Sequence, residues 1–156
     1  MVERAIQWAL AQVGSNAYPS RCLAFVEDAY ELGNDIEIFG GSTAKEAADG
    51  YGLETGQPPP GAFVFYDCFG SLSGVYQNWG HVGLALGDGR VSHAWGRVRI
   101  DSYLDVEKLA GAPGWGQPRY LGWTGVARIL QGHCKRPDLA PQVAPETAPP
   151  GMERRR

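Results

Sequence analysis

The first thirteen positions alternate in the rhythm of a helix. Val2, Ala5, Ile6, Ala9, Leu10 and Val13 share one face, Glu3, Arg4, Gln7 and Gln12 fall on the other, and Gly14 ends the run. A second helical pattern comes after Tyr18-Pro19-Ser20-Arg21-Cys22. Leu23, Val26 and Tyr30, with Phe25, Ala29 and Leu32, mark a buried face, and Gly33-Asn34 stops it. Pro19 resists helix and Ser20 is suited to cap one, so the spacing predicts Cys22 in the first turn. A third helix is predicted from Ser42 or Thr43 to Ala48, with Thr43-x-x-Glu46 as its capping pattern and Asp49-Gly50 as its stop.

The period changes after Gln57-Pro58-Pro59-Pro60-Gly61, a stiff entry to a sheet. Ala62 to Tyr66 is apolar throughout and rich in β-formers, as a buried strand requires. Asp67 to Gly80 is rich in Gly and Ser, with Tyr76 and Trp79, and predicts a loop near any site. His81 to Leu86 alternates: Val82, Leu84 and Leu86 share one face, and His81, Gly83 and Ala85 the other. That second face is small enough for another element or a ligand to approach. Gly87-Asp88-Gly89 turns the chain, Arg90 to Trp95 returns it, and Arg97 to Ile100 continues the sheet after Gly96. A short helix is predicted over Tyr103 to Leu109, capped by Asp101 or Ser102, then a loop over Gly111 to Pro118. Tyr120 to Leu130 reads as a last strand whose glycines suggest a bulge or bend. Helices first and an antiparallel sheet afterwards predict an α+β fold.

Composition narrows the picture. A chain of 156 residues suits one domain, expected over 1–132, with a tail over 133–156. From Arg136 onward that tail holds five of the eleven prolines and ends in three arginines, which predicts disorder. With 44% hydrophobic and 20% charged residues the balance is that of a globular protein, and a net charge of −3 gives no electrostatic reason to expect nucleic acid. No stretch is apolar enough to span a bilayer. Met1-Val2-Glu3-Arg4 lacks the basic start and apolar run of a signal peptide. The expectation is cytoplasmic synthesis with export by another route, or a module of a longer protein. Three cysteines do not make a disulfide framework, although Cys68 and Cys134 are free to pair. Neither C-x-x-C nor H-E-x-x-H occurs, so no metal or other cofactor is expected.

Candidate chemistry centres on Cys22. The first turn of a helix carries unpaired N–H groups and the positive end of the macrodipole, both of which favour a thiolate, although the same place can hold an inert buried thiol. A cysteine on an early helix and a histidine on a later strand suit a thiol hydrolase in which His81 takes the proton from Cys22, or holds it as an ion pair, and later returns it to the leaving amine. A third group must orient the imidazole, and His93 and Asp101 are the candidates. Register decides whether His93 can serve. If Gly87-Asp88-Gly89 is a three-residue loop, Gly83 faces His93, and the two histidines share a face. If Asp88-Gly89 is a two-residue turn, Leu84 opposes His93 and they point apart; the strength of Asp-Gly as a hairpin signal favours this shorter turn. Trp79 and Trp95 flank the histidines and are candidates for a glycan or peptide groove.

These residues carry a family likeness. Ala11-Gln12-Val13-Gly14, Tyr18, Cys22, Pro60 to Tyr66, Gly80-His81-Val82-Gly83-Leu84-Ala85-Leu86-Gly87-Asp88-Gly89 and Val91-Ser92-His93-Ala94 together resemble the NlpC-type cell-wall cysteine peptidases and the related CHAP amidases. The likeness covers about Val2 to Leu130, and Cys22 to Val26 with Tyr120 to Trp123 looks like versions found in actinobacterial and phage lysins. The resemblance implies a papain-like α+β fold and hydrolysis of an amide in the stem peptide of peptidoglycan, often between D-glutamyl and diamino-acid residues. It implies Cys22 as nucleophile, His81 as base, His93 as the orienting residue and Tyr18 as a positioning or oxyanion group, and it favours the longer hairpin loop. One departure is plain: the family's aspartate ahead of the cysteine is Arg21 here. Other thiol acyltransferases of transglutaminase-like type would use Asp101 as third member, and a non-catalytic binding module would leave Cys22 an ordinary thiol.

Overall fold

In the computed structural model, which describes residues 1–136, the two apolar periodicities become packed helices, α1 (Val2–Ala11) and α2 (Cys22–Asn34). α1 is a cover: Ala5 and Ala9 are buried, while Leu10 and Val13 are exposed. α2 takes the centre. Leu23, Phe25, Val26, Ala29 and Tyr30 are buried, but Leu32 is 44% exposed, and Glu27, Asp28 and Glu31 are buried with the apolar set. A helix held between another helix and a sheet has almost no outward face, so its polar positions need partners. Glu31 accepts from the Ile38 N–H at 3.1 Å, and Asp28 accepts from the Tyr18 hydroxyl at 2.7 Å.

Strand β1 (Ile36–Glu37) leads to α3 (Ala44–Tyr51). Thr43 Oγ1 accepts from the Glu46 N–H at 3.1 Å as the capping pattern predicts, and Glu46 Oε1 reaches back to the Ser42 N–H at 2.9 Å. The helix runs through Gly50, beyond its predicted stop, and ends at Gly52.

The remaining strands are β2 (Phe63–Asp67), β3 (Phe69–Leu72), β4 (Val75–Asn78), β5 (His81–Ala85), β6 (Arg90–Trp95), β7 (Arg97–Ser102), β8 (Arg119–Thr124) and β9 (Cys134–Lys135). Five of them form an antiparallel sheet in the order β7-β6-β5-β2-β8. Its two faces follow the predicted alternation. Phe63, Phe65, Val82 and Leu84 pack with α2, while Val64, Tyr66, Ala85 and Val91 pack with Val106 of a short 3₁₀ turn, Asp105–Lys108. The fold is therefore α+β, with the helices on one face of an antiparallel sheet and the cysteine-bearing helix preceding the histidine strands in the chain.

Four expectations are corrected. Asp67 to Gly80 is not a plain loop: β3 and β4 form a hairpin around Ser73 and Gly74, both at positive φ (53° and 80°) as a type I′ turn demands. The predicted helix over Tyr103 to Leu109 shrinks to the 3₁₀ turn. The last strand stops at Thr124, and Val126–Ile129 is a helical turn, α4. The predicted bulge does occur, since Phe65 faces Gly122 and Tyr66 faces Tyr120. The domain also extends past 132, because Cys134–Lys135 pair with Ile36–Glu37 and the Arg136 N–H donates to Asp35 O at 3.1 Å. The rest of the expected tail, 137–156, lies outside the described residues. Among those described, no helix is long and apolar enough to cross a membrane.

Gly80 joins the β3–β4 hairpin to β5 and abuts the start of α3. Its φ is 75°, and a Cβ there would stand 2.5 Å from Lys45 N and 3.0 Å from the Ala44 carbonyl carbon. Backbone cannot yield as a side-chain tip can, so Gly80→Ala is expected to cost about 2–4 kcal/mol in chemical denaturation. Gly50→Ala, at a helical position with nothing within 4 Å of the new Cβ, should instead stabilise by about 0.5–1 kcal/mol. Equal effects of the two would refute the close approach.

Candidate active site

Cys22 is the first residue of α2, and the chain reaches it through a tight turn. The Arg21 N–H donates to Tyr18 O at 3.2 Å, Pro19 takes the second position and Ser20 the third at φ 55°. Ser20 is thus spent on the turn and does not cap α2 as expected; Arg21 stands at the cap position, and no side chain caps the helix. N–H groups of Val82, Leu23 and Cys22 itself face the thiol in its place. Of the two states that the helix position leaves open, burial favours the thiol. Burial pushes the Cys22 thiol up to about 11, with those three N–H groups only partly offsetting it, so the resting form is the protonated thiol.

The hairpin that carries both histidines adopts the longer loop. The Leu86 N–H donates to Arg90 O at 2.9 Å, and Gly83 faces His93. The two-residue turn favoured by Asp-Gly is not formed. Gly87 and Gly89 both take positive φ (99° and 86°), and Asp88 between them binds the Arg90 N–H at 3.2 Å and the Arg90 Nε at 2.9 Å, which holds a three-residue loop together. His93 thereby shares a face with His81.

Contacts within the pair are short. His81 Nε2 lies 2.7 Å from His93 Nδ1, and His93 Nε2 lies 2.7 Å from Asp101 Oδ2. Arg99 donates to the same carboxylate from Nε at 2.8 Å and from its terminal nitrogen at 3.2 Å. The alternatives His93 and Asp101 are thus placed in series. Asp101 can only accept, so His93 carries its hydrogen on Nε2 and offers Nδ1; His81 then donates from Nε2 and keeps its lone pair on Nδ1. The network assigns Nδ1 of His81 as the basic nitrogen of the cluster.

Burial holds His81 well below the usual histidine range, and the neighbouring His93 adds to this. Burial also lowers His93, against the opposing pull of Asp101. For Asp101 burial acts upward, but the hydrogen bonds from His93 and Arg99 prevail and hold its carboxyl low. Two histidines that are neutral when folded bind fewer protons than in the unfolded chain. Stability from this source is present above the unfolded value of about 6.5 and is lost as pH falls below it. The melting temperature should therefore be lower at pH 5 than at pH 7.5, and His93→Asn should flatten that slope; a wild-type profile level across this window would refute the neutral pair.

A cavity of about 580 Å³ opens over the site, with Cys22 and His81 on its wall. Trp79 and Trp95 both line it, their indole N–H groups donating to Gly70 O at 3.0 Å and Ala110 O at 3.2 Å. Trp95 stands edge-on to His81, centroids 5.1 Å apart. Tyr18 is not among the lining residues: its hydroxyl donates to Asp28, and its ring lies under Arg21 with the guanidinium 5.7 Å from the centroid. Sequence reasoning missed Trp115 and Arg21 as lining residues. Trp115 lies in a loop and packs on Gly70, a contact that no periodicity announces. Cys68 also lines the cavity, its thiol raised to about 11 by burial and by Cys22, while Cys134 is exposed; all three cysteines are free. Among the described residues no group of three or more His, Cys, Asp or Glu is placed to hold a metal ion.

No protein-family model matches the chain, and no curated protein matches it. Solved structures similar to it include NlpC1 from Trichomonas vaginalis, at a TM-score of 0.48 and 22% identity over 80% of this chain and 45% of that one. The chain thus spans less than half of that neighbour's length, and the similarity is one of fold, at a level that assigns neither reaction nor substrate.

Proposed function

We propose that the protein is a cysteine hydrolase that cleaves an amide bond of the peptidoglycan stem peptide. The observation that carries this reading is the series His81–His93–Asp101 ending at a cavity whose wall also holds Cys22. A neutral thiol and a neutral imidazole lining one cavity suit general-base attack. Sγ of Cys22 adds to the scissile carbonyl carbon as its proton passes to Nδ1 of His81. The backbone N–H groups at the start of α2 receive the developing oxyanion. Collapse breaks the C–N bond, the leaving amine takes the proton from His81, and the acyl group stays on sulfur as a thioester. Water, deprotonated by His81, then adds to the thioester, and the acid product departs as the thiol is restored.

Peptidoglycan as the source of that amide rests on the resemblance carried by Gly80 to Gly89 and Val91 to Ala94. Asp101 reaches His93 rather than His81, which speaks against a transglutaminase-like Cys-His-Asp set. The raised Cys22 thiol favours one second reading, a binding module with an inert cysteine. Mass spectrometry of peptidoglycan incubated with the purified protein separates them. New soluble muropeptides with freed amino groups are expected, and their absence across several wall chemotypes would overturn the hydrolase.

A further inference from the structure

The hydrogen bond to His93 holds one corner of the His81 ring and leaves its tilt open, because the torsion between a histidine Cβ and its ring is soft. Something else must keep Nδ1 aimed into the cavity. On one side Tyr66 faces His81 across β2 and β5, its ring centroid 5.8 Å away, and its hydroxyl donates to Tyr103 O at 2.6 Å. On the other side stands Trp95. With Gly83 opposite His93, two further residues along each strand bring Trp95 opposite His81, and the centroids lie 5.1 Å apart with the planes at 77°. The shorter hairpin turn would have sent Trp95 to the opposite face. A row of three rings, Tyr66, His81 and Trp95, therefore crosses the sheet with the base in the middle. Trp95 is the member of the pair that shares the cavity wall with His81, and its indole is pinned from behind by Ala110 O at 3.2 Å.

On the reading that His81 is the base, we infer that Trp95 is a positioning residue, which locks the tilt of the His81 ring and keeps water off it so that Nδ1 stays aimed into the cavity. An edge-to-face pair of rings has a preferred angle, and an indole held by a backbone carbonyl cannot follow an imidazole that turns. The contact lies between the two side chains themselves, which distinguishes this role from that of a wall that only holds substrate. The titratable groups around His81 are Cys22 of α2, Tyr66 of β2, Cys68 after it and His93 of β6, with Asp101 and Arg99 of β7 behind His93. Burial pushes Cys22, Tyr66 and Cys68 up and His93 down, so all four are neutral near pH 7. Burial is also the larger cause that keeps His81 low, and Trp95 is part of that burial.

The test compares wild type, Trp95→Leu and Trp95→Phe in the intact chain, by nitrogen NMR of the imidazole rings and by kinetics on a soluble stem peptide containing a D-glutamyl–diamino-acid amide. The chain has three histidines, so each ring is assigned by single substitution. Wild type should show His81 as the Nε2–H tautomer, neutral down to about pH 5. Trp95→Leu should average the two tautomers and bring the His81 titration above about pH 5, with kcat down by about tenfold or more, KM within about threefold and the acidic limb of the rate profile moved up. Trp95→Phe keeps a ring against His81 and should restore much of the lost kcat. If the leucine variant does not fold, Trp95→Met, whose side chain adapts to the gap, puts the same question. A single Nε2–H tautomer and an unmoved titration in the folded variant would overturn the positioning role. So would a raised KM at unaltered kcat, the signature of a substrate wall, or a phenylalanine variant no better than the leucine one. The spectra do not depend on turnover: averaged tautomers in Trp95→Leu without hydrolysis by the wild type would keep the positioning of His81 and remove the hydrolase, and hydrolysis with unaltered tautomers would do the reverse.

Discussion

Cys22→Ala is expected to bring peptidoglycan cleavage down to the uncatalysed background, a loss on the order of 10⁴-fold or more. No second group replaces the nucleophile. Cys68 also lines the cavity, but its thiol is buried, pushed up to about 11, and 3.9 Å from Gly116 O. The substitution removes one sulfur from a half-buried position and leaves the backbone of α2 in place, so the melting temperature should stay within a few degrees of wild type. Near-native stability with lost activity separates a chemical role from a structural one. Full activity in the folded variant would end the thioester mechanism. The resting state has its own signature: alkylation of Cys22 should accelerate only above the free-thiol value of about 8.5, because burial outweighs the N–H groups around Sγ. A reactive plateau below that value would mean a preformed thiolate–imidazolium pair.

The second large effect belongs to His81. His81→Gln keeps a polar side chain of similar reach but no titratable nitrogen, and kcat should fall by about 10²–10⁴-fold. The partners behind it should matter less and in order. His93→Asn removes the acceptor that fixes the His81 ring, and Asp101→Asn removes the carboxylate that fixes the His93 tautomer, each expected to cost about 10–100-fold. Because these two act through orientation and proton affinity, their losses should appear in kcat and in the acidic limb of the pH profile, with little change in KM. Asp101→Asn falling as far as His81→Gln would instead put the carboxylate in direct charge of the reaction. Wild-type kcat in His93→Asn would remove the series altogether.

Much of this was legible in the chain itself. The helical spacing before Gly33 and the alternation after Gly61 state the α+β order, and Thr43-x-x-Glu46 states where α3 begins. Cys22 at a helix start and His81 at a strand start come from local pattern, since Pro19, Ser20 and Gly80 restrict the backbone beside them. The short side chains at Gly83 and Ala85 announced a face open to another group, and His93 now occupies the place opposite Gly83.

Local sequence also determined the bulge at Gly122 and the Ser73-Gly74 turn, whose signal lay in the Ser-Gly pair between Leu72 and Val75. What periodicity left undecided has two physical causes: a choice of loop among neighbouring residues, and energies that come from residues far apart in the chain. The hairpin register turned on one residue, and the positive φ of Gly87 with the Asp88–Arg90 pairing outweighed the Asp-Gly preference. Asp101 reached His93 only because β7 lies beside β6, with Val91 opposite Asp101. Burial of α2 on almost every side put Glu27, Asp28 and Glu31 inside and raised the thiol that its helix position alone would have lowered. Trp115 and Arg21 joined the cavity through loops and a turn, for which the chain has no period to read. Periodicity determined the elements and the residue types that could do chemistry, while desolvation and strand register, both properties of the assembled fold, decided which of them met and in what protonation state.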